Sequence, residues 1–147
     1  MIETKSVRIS SVKHVADYVL SVRWVSRSTT RIDLRELVYR FKALKSLRDV
    51  RVFSAVAKGE GGHSIAWPDD LDVGADTLWE MALTQAGRDD AVEFLRWRWR
   101  HGLSLTQAAD ALGISRRQVA YYASGKHPIP KTILLACKGW AAEQKAA

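Results

Sequence analysis

The spacing of apolar residues changes partway along the chain. "SVRISSVKHV" sets Val7, Ile9 and then Val12 among polar neighbours, and "YVLSVRWV" continues with Val19 or Leu20, Val22 and Trp24. "RIDL" adds Ile32 and Leu34. Period-two alternation of this kind predicts strands with one buried face, and the polar "SRSTT" suits a hairpin connection. "RELVYRFKALKSL" then switches to helical spacing, with Leu37, Phe41, Leu44 and Leu47 on one side. "VRVFSAV" and "HSIAW" predict two further strands, joined by the turn-rich "KGEGG". Asp76 is a candidate cap for a short helix, "TLWEMAL", with Leu78, Met81 and Ala82 inward. Residues 1–86 thus read as an antiparallel sheet of about five strands carrying one or two helices.

The strand pattern ends near "TQAGRDD". In "AVEFLRWRWRHG", Phe94 and Trp97 stand three apart, with Glu93 near the helix start and Arg100 and His101 near its end, as the helix dipole favours. Ser104 caps "LTQAADAL" and Gly113 stops it; Ser115 caps "RRQVAYYAS" and Gly125 stops that. After the breaker "HPIP", "KTILLACKGWAAEQ" predicts a last helix with Ile133, Ala136, Cys137 and Trp140 inward. Residues 87–147 therefore read as short helices joined by tight turns.

Composition narrows the class. With 47% hydrophobic and 27% charged residues, the 147-residue chain is globular rather than disordered. One cysteine, Cys137, excludes an internal disulfide framework and suits a reducing compartment. No apolar run spans a bilayer and no signal segment opens the chain, so a cytoplasmic protein is expected. Residues 1–86 hold 13 Lys/Arg against 11 Asp/Glu, whereas residues 87–147 hold 10 against 5. The shorter half carries most of the excess charge, which points to a polyanionic partner.

Ser104 to Ser124 is the most informative stretch. Gly113 supplies the left-handed residue that a three-residue turn between helices needs, and Ile114 the apolar residue to bury below it. Ala109 lets the two helices approach, while Val119 and Tyr122 face the core. Arg116, Arg117, Gln118, Ala120 and Tyr121 then point outward. "GLSLTQAADALGISRRQVAYYASGK" resembles the Cro/C1 (Xre-type) helix-turn-helix DNA-binding domains, over roughly residues 89–142. The resemblance implies that Ser115–Ser124 is a recognition helix entering the major groove. It places Arg116, Arg117 and Tyr121 at base edges, where an arginine fork can donate two hydrogen bonds to guanine. It places Gln118 and Lys126 near phosphates, and Ser115, Arg98 and Lys131 are expected to add phosphate contacts. Two positions depart from the family. Leu105 stands where a phosphate-anchoring glutamine is common, and Ala123 stands where an acid usually pairs with the arginine at Arg98.

The first half, through "VKHVADYVLSVRW", "IDLREL", "VFSAV" and "IAWPDDLDVGADTLW", resembles a bacterial domain family of unknown function. Its hallmark is a strand ending in Trp-Pro, an acidic loop and a short helix. That family also occurs fused ahead of a helix-turn-helix, and it implies an α+β fold.

Other chemistries have less to rest on. "RWRWR" could stack on single strands, but its helical spacing favours buried tryptophans with snorkelling arginines. Asp69, Asp70 and Asp72 lack the further ligands of a calcium loop and suit a turn. His14, His63, His101 and His127 show no metal-ligand spacing, and no catalytic arrangement or phosphate loop is present. The expectation is therefore an α+β protein: a small antiparallel sheet domain (1–86) with one or two helices, followed by an all-α four- to five-helix helix-turn-helix domain (87–147). It should bind double-stranded DNA sequence-specifically as a homodimeric transcriptional regulator, with no enzymatic activity, metal or cofactor. Two alternatives carry their own signatures. An antitoxin-like protein would show an exposed apolar patch or open sheet edge on the N-terminal domain for a protein partner. A ligand sensor would show a pocket around Trp24, Trp67 and Asp70.

Overall fold

The computed structural model describes residues 7–147; the first six residues of the expected N-terminal domain lie outside it. Contacts among the described residues form two compact units, Val7–Ala82 and Leu83–Ala147. The fold is α+β, with antiparallel strands first and helices after them.

In the first unit, β1 (Ile9–Ala16), β2 (Val19–Trp24) and β3 (Thr29–Asp33) form one antiparallel sheet in that order. Ile9 pairs with Trp24 but Ser11 already pairs with Arg23, so β1 bulges there. A bulge inserts one residue and resets side-chain parity, which is why Val12 follows Ile9 at an odd spacing. In β2 it is Leu20, not Val19, that joins Val22 and Trp24 in the core. A second sheet contains β4 (Ala57–Lys58), β5 (Ser64–Trp67) and β6 (Leu71–Gly74). The expected single sheet of about five strands is therefore two sheets of three among the described residues. β6 falls in the acidic stretch, and the β5–β6 turn holds Asp69 and Asp70 at φ 68° and 60°. Asp tolerates this left-handed conformation better than most residues, so these two aspartates serve the turn.

Two expectations for residues 35–56 are corrected. The helix predicted through Leu47 stops early: α1 (Arg35–Arg40) ends at Phe41, which is extended (φ −101°, ψ 120°), and a 3-10 helix takes over at Lys42–Arg48. Phe41 is consequently 47% exposed instead of buried, and Val38 fills the core beside Leu44 and Leu47. "VRVFSAV" (50–56) is not a strand; the next strand, β4, begins only at Ala57. Asp49 accepts a hydrogen bond from Arg51 N and caps a helical turn, α2 (Val50–Phe53). An N-cap at Asp49 satisfies amides that a sheet would otherwise have to pair. Phe53 is still core, since Trp67 Nε1 donates to its carbonyl at 2.7 Å. Gly62 has to be glycine, because a Cβ there would lie 2.3 Å from the Ile9 carbonyl oxygen.

α3 (Ala75–Gln85) follows, with Asp76 in its first turn. The second unit then holds α4 (Asp89–Arg100), α5 (Leu105–Leu112), α6 (Arg116–Ala123) and α7 (Lys131–Ala146). Phe94 is fully buried, with its ring 5.6 Å from Trp97 and 5.7 Å from Tyr122. Trp97 in turn meets Trp140 edge-on at 5.7 Å, which ties α7 to α4. Burying side chains of this size contributes about 1.5–3 kcal/mol each. No helix among the described residues is long and apolar enough to cross a membrane.

Candidate functional site

The two capped helices α5 and α6 are held by strictly local chemistry. Ser104 Oγ accepts from Gln107 N while Gln107 returns a bond to Ser104 N, closing a capping box on α5. Gly113 ends α5 at φ 70°, ψ 32°, and the amides of Gly113 and Ile114 both donate to the Ala109 carbonyl. Ile114 is half-buried below that turn. Ser115 Oγ then accepts from Gln118 N at 3.1 Å and starts α6. Val119 (0% exposed) and Tyr122 (7%) fix which face of α6 points inward, and Ala108 and Ala109 permit close approach of α5.

The opposite face of α6 is polar and open. Arg116 and Arg117 are exposed in its first turn, and neither side chain has a hydrogen-bond or ion-pair partner among the described residues. Two cations at a helix N-terminus oppose the helix dipole, so this placement weakens the helix slightly. His127, which spacing alone did not mark, contacts Gln118 and Tyr121, and Lys126 in turn lies over the Tyr121 ring. Gln118 Nε2 lies 3.2 Å from His127 Nδ1, the Tyr121 ring is 4.4 Å from the imidazole, and Lys126 Nζ sits 4.7 Å from the Tyr121 centroid. Lys131 is exposed at the start of α7.

Arg98 requires a correction. It is only 3% exposed, and its guanidinium donates to the Leu103 carbonyl at 3.0 Å, so it cannot reach a phosphate outside the protein. No carboxylate pairs with it among the described residues, and its Nε has no partner there. Burial without a counter-charge pulls its pKa down to about 10.

Two further residues went unmarked in the sequence because their partners are distant along the chain. Arg88 donates to the carbonyls of Gly125 and His127 and pairs with Asp90 at 3.0 Å. Asp90 accepts from Ile129 N at 2.8 Å. Together they pin the segment that leaves α6. The Arg88 guanidinium, helped by the Ile129 and Ala91 amides, holds the Asp90 carboxyl at about 2.

In the first unit, Trp24 packs edge-on against Trp79 at 5.1 Å and donates to Thr30 Oγ1. Trp67 is buried as well, whereas Asp70 is exposed in its turn. Among the described residues no group of three or more His, Cys, Asp or Glu side chains is placed to hold a metal ion.

No curated protein matches the chain significantly. A crystal structure named "Putative DNA Binding Protein" from Nitrosomonas europaea ATCC 19718 aligns with a TM-score of 0.70 and 36% identity. The match covers 97% of this chain and 91% of that one. Residues 9–83 match the family model described as "Protein of unknown function (DUF2442)". That match spans half the chain, and the protein therefore belongs to the DUF2442 family.

Proposed function

We propose that this protein binds double-stranded DNA sequence-specifically, as a small transcriptional regulator with α6 in the major groove. The observation that carries the reading is the exposed, unpartnered Arg116–Arg117 pair at the start of a capped helix whose Val119 and Tyr122 face inward. The unfavourable placement of these charges is relieved when an anion binds beside them. The resemblance of residues 89–142 to Cro/C1 helix-turn-helix domains supports the same geometry, as does the similarity to a structure named for DNA binding. In this reading Arg116, Arg117 and Tyr121 read base edges, while Ser115, Gln118, Lys126 and Lys131 hold phosphates. The DNA-binding domain is 87–147, it acts without catalysis, and a homodimer would set half-sites about 34 Å apart or a multiple of that.

Selection from a random duplex pool at two salt concentrations tests the proposal, since base readout leaves a sequence motif that charge attraction alone does not. Against the selected site, Arg116→Ala should cost about 1–3 kcal/mol and relax preference at one base pair. Equal losses on the selected and scrambled duplexes would defeat base reading by α6.

A further inference from the structure

The most basic stretch of the first unit is not in the strands but in residues 35–51, which hold six Lys/Arg against Glu36 and Asp49. The rest of residues 7–82 holds six Lys/Arg against eight Asp/Glu, so this short segment alone makes the unit basic. Its structure orders the charges. A 3-10 helix repeats every three residues and eclipses positions i and i+3. Over Lys42–Arg48 that period turns Leu44 and Leu47 into the core and lines up Lys42, Lys45 and Arg48 along another side, about 6 Å apart. Lys42 and Lys45 are exposed; Arg48 is half-buried and donates to the Val38 and Tyr39 carbonyls at the end of α1.

Next to this row stand two aromatic rings that burial does not explain. Tyr39 is 52% exposed and Phe41 47%. Both are held in place. Tyr39 has the Arg48 guanidinium 4.9 Å from its centroid and the Tyr18 ring edge-on at 5.9 Å. Phe41 has Arg40 at 5.9 Å, and Arg40 is itself anchored by an ion pair to Glu36. Open rings fixed beside a regular row of cations match a partner that carries flat π-faces and evenly spaced negative charge.

We infer that the surface formed by Tyr39, Arg40, Phe41, Lys42, Lys45 and Arg48 binds single-stranded nucleic acid, stacking unpaired bases on the two rings and seating phosphates on the cations. A duplex does not meet this description, because its bases are already stacked on each other. An acidic peptide supplies charge but no π-face. The inference does not depend on α6.

The test uses the full chain carrying Arg116→Ala and Arg117→Ala, so that α6 contributes little. Fluorescence anisotropy measures binding to a labelled oligothymidine of about 12 nucleotides, the matching oligouridine, and a duplex of the same length. The single strands should bind more tightly than the duplex, and preference between the first two tells DNA from RNA. Tyr39→Ala and Phe41→Ala, each with an unchanged thermal midpoint, should weaken single-strand binding about tenfold. Lys42→Gln with Lys45→Gln should reduce the slope of log affinity against log salt by about 1.4, or 0.7 for each lost phosphate contact. Absence of single-strand binding, a duplex bound as tightly, aromatic variants that bind like the parent, or equal displacement by polyglutamate would each overturn the inference. Duplex selection by the parent chain is read independently and should be unaffected by the Tyr39 and Phe41 changes.

Discussion

Arg98 shows how one residue can change role between sequence and structure. A cation buried to 3% exposure, with a single side-chain hydrogen bond among the described residues, to Leu103, has lost water and gained little. Its pKa near 10, against an ordinary 12.5, corresponds to about 3 kcal/mol of disfavoured charge at neutral pH. The Leu103 hydrogen bond returns only about 1 kcal/mol. Arg98→Met is therefore expected to leave stability unchanged or raise it in urea unfolding at pH 7. A loss above about 2 kcal/mol would mean that the guanidinium is better satisfied than its surroundings indicate. The position was legible as an arginine on α4; its burial was not, because the alternation in "RWRWR" conveys the helix but not which of its faces its neighbours cover.

At the scale of elements, α5 and α6 were readable almost to the residue. Their stops and starts are set by Ser104, Gly113 and Ser115, and each acts on amides or carbonyls within four positions. The region between α1 and β4 was not readable in this way. Leu37, Phe41, Leu44 and Leu47 fit a single helix by spacing, and only the break at Phe41 moves that ring outward. The anchoring of the segment after α6 was equally hidden, since Arg88 and Asp90 act on Gly125, His127 and Ile129. This anchor has a pH signature. Asp90 is held near 2 when folded and near 3.8 when unfolded, so the unfolded chain takes up the proton first as pH falls. The stabilisation is full above pH 3.8 and disappears as pH drops toward 2. With the side chain 24% exposed, it amounts to about 2 kcal/mol at neutral pH. Asp90→Asn should lose that amount at pH 7 and show a shallower acid dependence in denaturant titrations. Matching acid profiles for the two proteins would rule out Asp90 as the group responsible.

For the molecule as a whole, Cys137 offers a probe of the second unit. It is 3% exposed, and burial, reinforced by the charge of Glu93, pushes its thiol up to about 12. Thiolate is the reactive form, so iodoacetamide should label native protein far more slowly than unfolded protein, at a rate set by opening of the helices. Labelling at the unfolded rate under native conditions would contradict the burial. What the sequence determined by itself was local: the change from strand to helix, the caps at Ser104 and Ser115, the glycine stops, and the uneven charge. Those follow from backbone geometry and from bonds that close within one turn. The tertiary structure alone decided that the strands form two sheets, that Phe41 faces solvent while Arg98 does not, and that His127 meets Gln118 and Tyr121. These outcomes depend on which surfaces meet across long stretches of chain, and periodicity records that a face is apolar without recording what will cover it.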